Sequence, residues 1–292
     1  MADRPLWRIE GRDWPNREAS RFVETPDLTW HVQVMGRGPV ALLLHGTGAA
    51  THSWRGLAPL LARHVTVVAP DLPGHGFSTM PRRQLLSLPG MAGAVARLCA
   101  ALRVAPDILV GHSAGAAVAA RLCLDGLASP SRLVALNGAL LPLSGVAGQV
   151  FSPLARLLSG VPFVPWMVAW TAADKSAVKR LLNDTGSALD PRGLELYARL
   201  FRRPGHVAGT LGMMAAWDLP ALARDLPRLA PAPLLIVGER DRTIPPHSAD
   251  RLAALIPGSS VIRLPGLGHL AHEEAPEQVA RLILPPAQAV AA

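Results

Sequence analysis

Residues 108–120 read ILVGHSAGAAVAA. Ile108, Leu109 and Val110 have the composition of a short strand buried on both faces, and the alanine-rich run from Ala114 forms helix well and contains no breaker. Between them, Gly111-His112-Ser113-Ala114-Gly115 fits G-x-S-x-G, in which a serine occupies a strained strand-to-helix turn. Small flanking residues let strand and helix pass close together. Such a turn lifts the hydroxyl clear of the backbone. It also aims the positive end of the helix, with the N–H of Ala114, at the place where an oxyanion would form. The competing reading is a Gly/Ala-rich turn that holds a serine by chance, and the rest of the chain decides between them.

Working outward, short apolar runs alternate with helix-patterned segments. Residues 29–35 (TWHVQVM) alternate as a strand, 36–39 make a turn, and 40–44 (VALLL) form a buried run, which predicts a hairpin leading into a sheet. The loop His45-Gly46-Thr47-Gly48 follows, then a helix over 53–62, a strand over 65–69 and the turn-rich DLPGHGFS at 71–78. A helix is predicted over 89–102, opened by Pro89; further strands are predicted at 133–136, 233–237 and 261–264, with a closing helix over 273–284. This alternation predicts an α/β fold, a mostly parallel central sheet with helices on both faces, whose sites collect at the carboxyl ends of the strands. From 138 to 217 it stops, in a segment rich in proline and apolar residues that carries Phe151, Phe163, Trp166, Trp170, Met213 and Met214. We read residues 138–217 as an inserted helical cap, 29–137 and 218–292 as the core, and 1–28, with Trp7 and Trp14, as an ordered N-terminal extension.

A serine hydroxyl is hardly ionised near neutrality, so Ser113 needs a base, and the base needs an acid to fix its tautomer. In this architecture the chain order is serine, acid, histidine. Asp241 follows the predicted strand 233–237 in the turn Gly238-Glu239-Arg240-Asp241, and His269 follows 261–264 in Gly266-Leu267-Gly268-His269. Both lie beyond strand ends, as Ser113 does. The competing reading of Asp241 is a turn acid or a partner of Arg240 or Arg242, with Glu239 as a rival acid; His269 competes with His272, three residues on. The backbone N–H of Thr47, in the loop after the strand 40–44, is the candidate second oxyanion donor beside that of Ala114. His45 and His75 read as structural. His112 fills the variable place of the pentapeptide, within reach of a pocket.

Composition narrows the classes. The chain has 292 residues, half of them apolar, and a net charge of +8 that comes almost wholly from arginine, since Lys175 and Lys179 are the only lysines. No basic block or interleaved aromatic–basic pattern marks a nucleic-acid surface, so none is expected; the charge reads as a mild preference for acidic ligands or an anionic membrane. Cys99 and Cys123 lie in apolar helical stretches and imply neither a disulfide framework nor a metal site. No cofactor is expected. The first ten residues carry Asp3, Arg4, Arg8 and Glu10 and no apolar core, so a cytoplasmic protein is expected. Between 133 and 173 the one charge is Arg156, but Pro142, Pro153, Pro162 and Pro165 argue against a spanning helix while leaving peripheral membrane contact open.

From about Trp30 to the final helix the chain resembles the α/β-hydrolase family, in the HGTG loop, the DLPGHGFS segment, the GHSAG elbow, the GERD turn and the GLGH loop. The resemblance implies a Ser113, Asp241, His269 triad. Serine at the elbow separates the chain from the haloalkane dehalogenase and epoxide hydrolase branches, which use aspartate there. Residues 13–24 (DWPNREASRFVE), with the run from TWHVQVMGRGPV to VVAPDLPGHGFS, further resemble the BchO proteins of phototrophic bacteria, described as magnesium-chelatase accessory proteins. That resemblance implies a place at the magnesium-inserting step of bacteriochlorophyll synthesis, with chelatase subunits as partners; the nearly uncharged segment 133–173 separately suggests peripheral contact of the cap with the inner or photosynthetic membrane. The resemblance implies no reaction, and no G-x-x-x-x-G-K-[ST] loop is present.

The leading expectation is a serine hydrolase acting on an ester of a hydrophobic, tetrapyrrole-like compound. Phe163, Trp166, Trp170, Met213 and Met214 would line a flat apolar pocket; the alternative use of each is ordinary cap core. The alternatives in function are a non-catalytic porphyrin carrier or chelatase accessory factor with an idle triad, and a C–C bond hydrolase on the same residues.

Overall fold

Residues 4–142, 161, 163–172 and 174–284 are described by a computed structural model; Phe151, Pro153, Arg156 and Pro162 lie outside the described residues. Eight strands form one sheet: β1 Ser20–Glu24, β2 Thr29–Met35, β3 Val40–Leu44, β4 Thr66–Pro70, β5 Pro106–His112, β6 Arg132–Leu136, β7 Leu234–Gly238 and β8 Ser260–Leu264. Their spatial order is β1-β2-β4-β3-β5-β6-β7-β8. β2 runs antiparallel to β1 and to β4, and every later pairing is parallel.

The central strands read as unbroken apolar runs because both faces of the sheet are covered. Alternate residues go to opposite cores. Leu42, Leu44, Leu109, Leu133 and Ala135 pack on one side with the helices α2 Leu88–Leu102, α3 Ala114–Leu124, α8 Leu219–Asp225 and α9 Ser248–Leu255. Ala41, Leu43, Ile108, Val110, Val134 and Leu136 pack on the other with Trp54, α1 Leu57–Leu61 and α10 Pro276–Ile283. Between β6 and β7 the chain adds α4 Val164–Thr171, α5 Lys175–Asp184, α6 Pro191–Phe201 and α7 Pro204–Ala216, then α8. Among the described residues no helix is long and apolar enough to cross a membrane.

Local differences from the sequence expectations have physical causes. The helix expected over 53–62 is a 3₁₀ turn, Thr51–Trp54, followed by α1; Trp54 turns fully into the core between them. The closing helix is divided at Pro276, which lacks an N–H and keeps Ala275 out of the helical conformation, at φ −140°, ψ 64°. β1 and α9 were not expected. β1 is an edge strand without a fully buried residue, so it carries no strong apolar pattern. Within residues 4–28, Trp14 is buried against Phe77, Ala50, Leu196 and Leu200, its Nε1–H donates to Thr51 Oγ1 at 2.9 Å, and Asp13 pairs with Arg192 and Arg199 of α6.

Candidate active site

The elbow is built by close approach. Ser113 sits between β5 and α3 at φ 49°, ψ −115°, a left-handed conformation that costs a side-chain-bearing residue about 1–3 kcal/mol. Its two flanking glycines explain how that conformation is enforced. A methyl group at Gly111 would overlap the Ala116 backbone, and one at Gly115 would overlap the carbonyls of Leu44 and His45. Ala114 opens α3, so its N–H is among the four that a helix leaves without an internal partner. The His45–Gly48 loop lies against the same spot: a side chain at Gly46 would meet Ser113 Cβ at 3.0 Å and His112 Nδ1 at 2.9 Å.

The other candidates come from neighbouring strand ends. Ser113 N–H donates to Leu136 O at 2.9 Å and Asn137 N–H to Ile236 O at 2.8 Å, which continues the sheet ladder past β5, β6 and β7. Beyond β7 and β8, His269 Nδ1–H donates to Asp241 Oδ2 at 2.8 Å, with both side chains buried. No hydrogen bond joins Ser113 Oγ to His269 among the described residues; contacts of this type commonly tighten when substrate binds. Asp241 accepts three more hydrogen bonds, to Oδ1 from the N–H groups of Thr243 (2.8 Å) and Ile244 (2.9 Å) and to Oδ2 from Asn137 Nδ2 (2.7 Å). Glu239, the rival acid, is exposed. His272 is buried in the turn Ala271–Glu274 without a bond to Asp241, its ring tilted against those of Trp54 and His112, and burial pushes its pKa down to about 3.

The expected pocket residues separate. Met213 is fully buried and receives the Thr47 hydroxyl at 3.7 Å, and Met214 is half-buried. Phe163, Trp166 and Trp170 are instead on the surface, 65%, 50% and 80% exposed. α4 is apolar all the way round, so its sequence does not say which face packs inward; the small side of the helix, at Ala169, is the buried one. His112 is buried, its Nε2–H donates to His269 O at 2.9 Å, and burial together with His272 and His269 holds its pKa well below the usual range.

Several positioning residues escaped the sequence reading. Asn137, at φ 46°, is one, because an amide after a strand carries no acid–base signal. His206 of α7 is another: its Nε2–H donates to Gly48 O and its Nδ1 accepts from Gly76 N–H, both at 3.0 Å, which ties the HGTG loop to the DLPGHG turn. A third is the segment after α5. Arg242 N–H donates to Thr185 O at 3.1 Å, Leu270 N–H donates to Ser187 Oγ at 2.8 Å, and Gly186 lies so close to Arg240 O that a side chain there would overlap it. Glu274 adds a carboxylate that accepts from Gly268 N–H at 2.9 Å. His45 donates from Nδ1 to Gly46 O and accepts at Nε2 from Leu72 N–H, both at 2.8 Å. Among the described residues no cluster of histidine, cysteine or acidic side chains is arranged to hold a metal ion.

Comparison with known proteins gives the family. The chain is 40% identical over 274 residues to the magnesium-chelatase 30 kDa subunit of Rhodobacter capsulatus, covering 93% of this chain and 95% of that one. It is 31% identical over 268 residues to the pimeloyl-[acyl-carrier protein] methyl ester esterase of Methylococcus capsulatus, covering 86% and 96%. The crystal structure of an alpha/beta hydrolase fold protein from Burkholderia ambifaria superposes with a TM-score of 0.77 at 26% identity, over 91% of this chain and 97% of that chain. The profile of the alpha/beta hydrolase family matches residues 41–282, through all the strand ends just described. The chain belongs to the alpha/beta hydrolase family.

Proposed function

We propose that this protein is a serine hydrolase that cleaves an ester or similar acyl bond of a hydrophobic, tetrapyrrole-like substrate. The observation that carries the reading is the strained turn at Ser113, a non-glycine residue at φ 49° between two glycines that tolerate no side chain. Strain of that kind persists where the surrounding structure enforces it, and it clusters at working sites.

In this reading Ser113 Oγ attacks the acyl carbon while its proton passes to His269 Nε2, and the Nδ1–H bond to Asp241 orients the ring and stabilises the imidazolium that forms. The N–H groups of Thr47 and Ala114, with the dipole of α3, hold the oxyanion. The leaving group departs with the proton from His269, and water, deprotonated by the same imidazole, then frees Ser113 from the acyl group. Asn137, Thr243 and Ile244 keep the Asp241 carboxylate in one orientation. The described part of residues 138–217 acts as a cap over this site, and the contacts of His206 with Gly48 and of Met213 with Thr47 support that role. Treatment with a fluorophosphonate probe tests the nucleophile. Labelling of the wild type that vanishes in Ser113→Ala is expected, and a folded wild type that stays unlabelled overturns the reading.

A second reading rests on the relative named for chelatase membership and not for a reaction: an accessory factor at magnesium insertion, with chelatase subunits as partners and the triad idle. Complementation separates the two. If the Ser113→Ala chain restores pigment synthesis in a strain lacking the protein as fully as the wild type does, the accessory role stands and the catalytic one falls.

A further inference from the structure

A helix that is apolar all round belongs either in a core or against lipid. α4 packs on α7, with Ala169 as its buried residue. Phe163, Trp166, Met167 and Trp170 recur at i, i+3, i+4 and i+7, which places them on one face, and all four are half or more exposed. With Val161 and Leu181 they make six of the eleven large apolar side chains that the described residues leave exposed, all within residues 161–181. Single exposed apolar residues are ordinary; a contiguous set marks an interaction surface.

The charges beside this face point to one kind of partner. Lys175 and Lys179, the only lysines of the chain, are exposed on α5, which follows α4. Arg202 Nε–H donates to Ala172 O at 3.3 Å, so its guanidinium is held at the C-terminal end of α4. Of the two acids in the segment, Asp174 is occupied in capping α5, accepting from Ser176 N–H at 2.8 Å, and lies 4.0 Å from Arg180; Asp184 is at the far end of that helix. Protein interfaces are enriched in tryptophan and methionine but depleted in lysine. In a chain whose 29 basic residues include two lysines, both falling here, the composition favours lipid phosphate over a protein surface.

We propose that this face docks on an anionic lipid bilayer. α4 lies in the plane of the interface with its indole, phenyl and thioether groups at the boundary between headgroups and acyl chains, and Lys175 and Lys179 reach the phosphates. The contact is along the surface, since no described helix is long and apolar enough to span.

Sedimentation of the full chain with vesicles tests this, using phosphatidylcholine alone and phosphatidylcholine mixed with phosphatidylglycerol. Expected are binding to the mixed vesicles with a blue-shifted tryptophan emission, weakening as salt is raised, and little binding to phosphatidylcholine alone. The Lys175→Glu/Lys179→Glu chain should bind the mixed vesicles about thirtyfold more weakly or worse. The Trp166→Ser/Trp170→Ser chain should lose both binding and blue shift. All four residues are exposed, and an unchanged circular dichroism spectrum confirms that each variant folds. Failure to bind the mixed vesicles, equal binding to both vesicles, or binding that survives both double variants overturns the proposal. Self-association without vesicle binding, abolished in the tryptophan variant, overturns it too by assigning the face to a second copy. The Ser113→Ala chain should bind vesicles as the wild type does, so the outcome is independent of the hydrolase reading.

Discussion

His206 offers a quantitative test of how the inserted helices hold the HGTG loop. Its Nδ1 accepts from the Gly76 N–H and its Nε2–H donates to Gly48 O, so the buried ring fits only as neutral imidazole; a proton on Nδ1 would face another N–H. Burial pushes its pKa from 6.5 down to about 4. A histidine whose folded pKa is depressed adds stability that is complete above its unfolded pKa, near 6.5, and is lost as pH falls toward the folded value. From 6.5 to about 4 the linkage is worth about 3 kcal/mol, of which about 2 kcal/mol is lost between pH 7 and pH 5. Glu273 acts in the opposite direction, because burial raises its pKa to about 7 and protonation relieves it, while burial lowers the pKa of His45, His52, His75, His112 and His272 as it does that of His206. Comparing the wild type with His206→Gln cancels these shared terms. Glutamine can donate and accept in the same place without titrating. Urea unfolding at pH 7, 6 and 5 should therefore show the stability gap between wild type and variant narrowing by about 2 kcal/mol toward acid. Parallel dependences on pH for the two proteins would refute the neutral-ring argument.

Two further outcomes follow from the site. Asn137→Ala removes one of the four donors on Asp241, a hydrogen bond to a charged acceptor worth about 1.5–3 kcal/mol, so kcat should fall about 10- to 100-fold with KM little changed, as measured on any ester the wild type turns over. Gly115→Ala puts a methyl group into the Leu44 and His45 carbonyls, which are backbone and cannot step aside; a loss of about 3 kcal/mol, read as a drop in Tm by differential scanning calorimetry, is expected.

The fold class was legible because strand-length apolar runs alternate with helical spacing, and the sheet buries both of its faces, so the central strands carry no polar interruptions to blur them. The places of Ser113, Asp241 and His269 were legible for a related reason: each sits in a glycine-bearing turn just past such a run, and parallel strands bring their carboxyl ends together. Asn137 and His206 were not. Neither residue type signals its role, and each acts through a hydrogen bond to a residue about a hundred or more positions away. Phe163, Trp166 and Trp170 show a different limit. A pocket wall and an outer docking face call for the same side chains, and only the packing of Ala169 against the neighbouring helix tells them apart. The break before α10 shows that one proline, Pro276, outweighs a continuous apolar period.

The clasp formed by Thr185, Gly186 and Ser187 bears on how such proteins can be recombined. Because these three residues grip the backbone of the Asp241 turn at one end and of the His269 loop at the other, the inserted helices are stitched to the machinery below them at a point far from where they leave and rejoin the sheet. Grafting a relative's helices at the ends of β6 and β7 would sever this stitch. A chimera of two relatives should keep residues 185–187 from the host and exchange only what lies on either side.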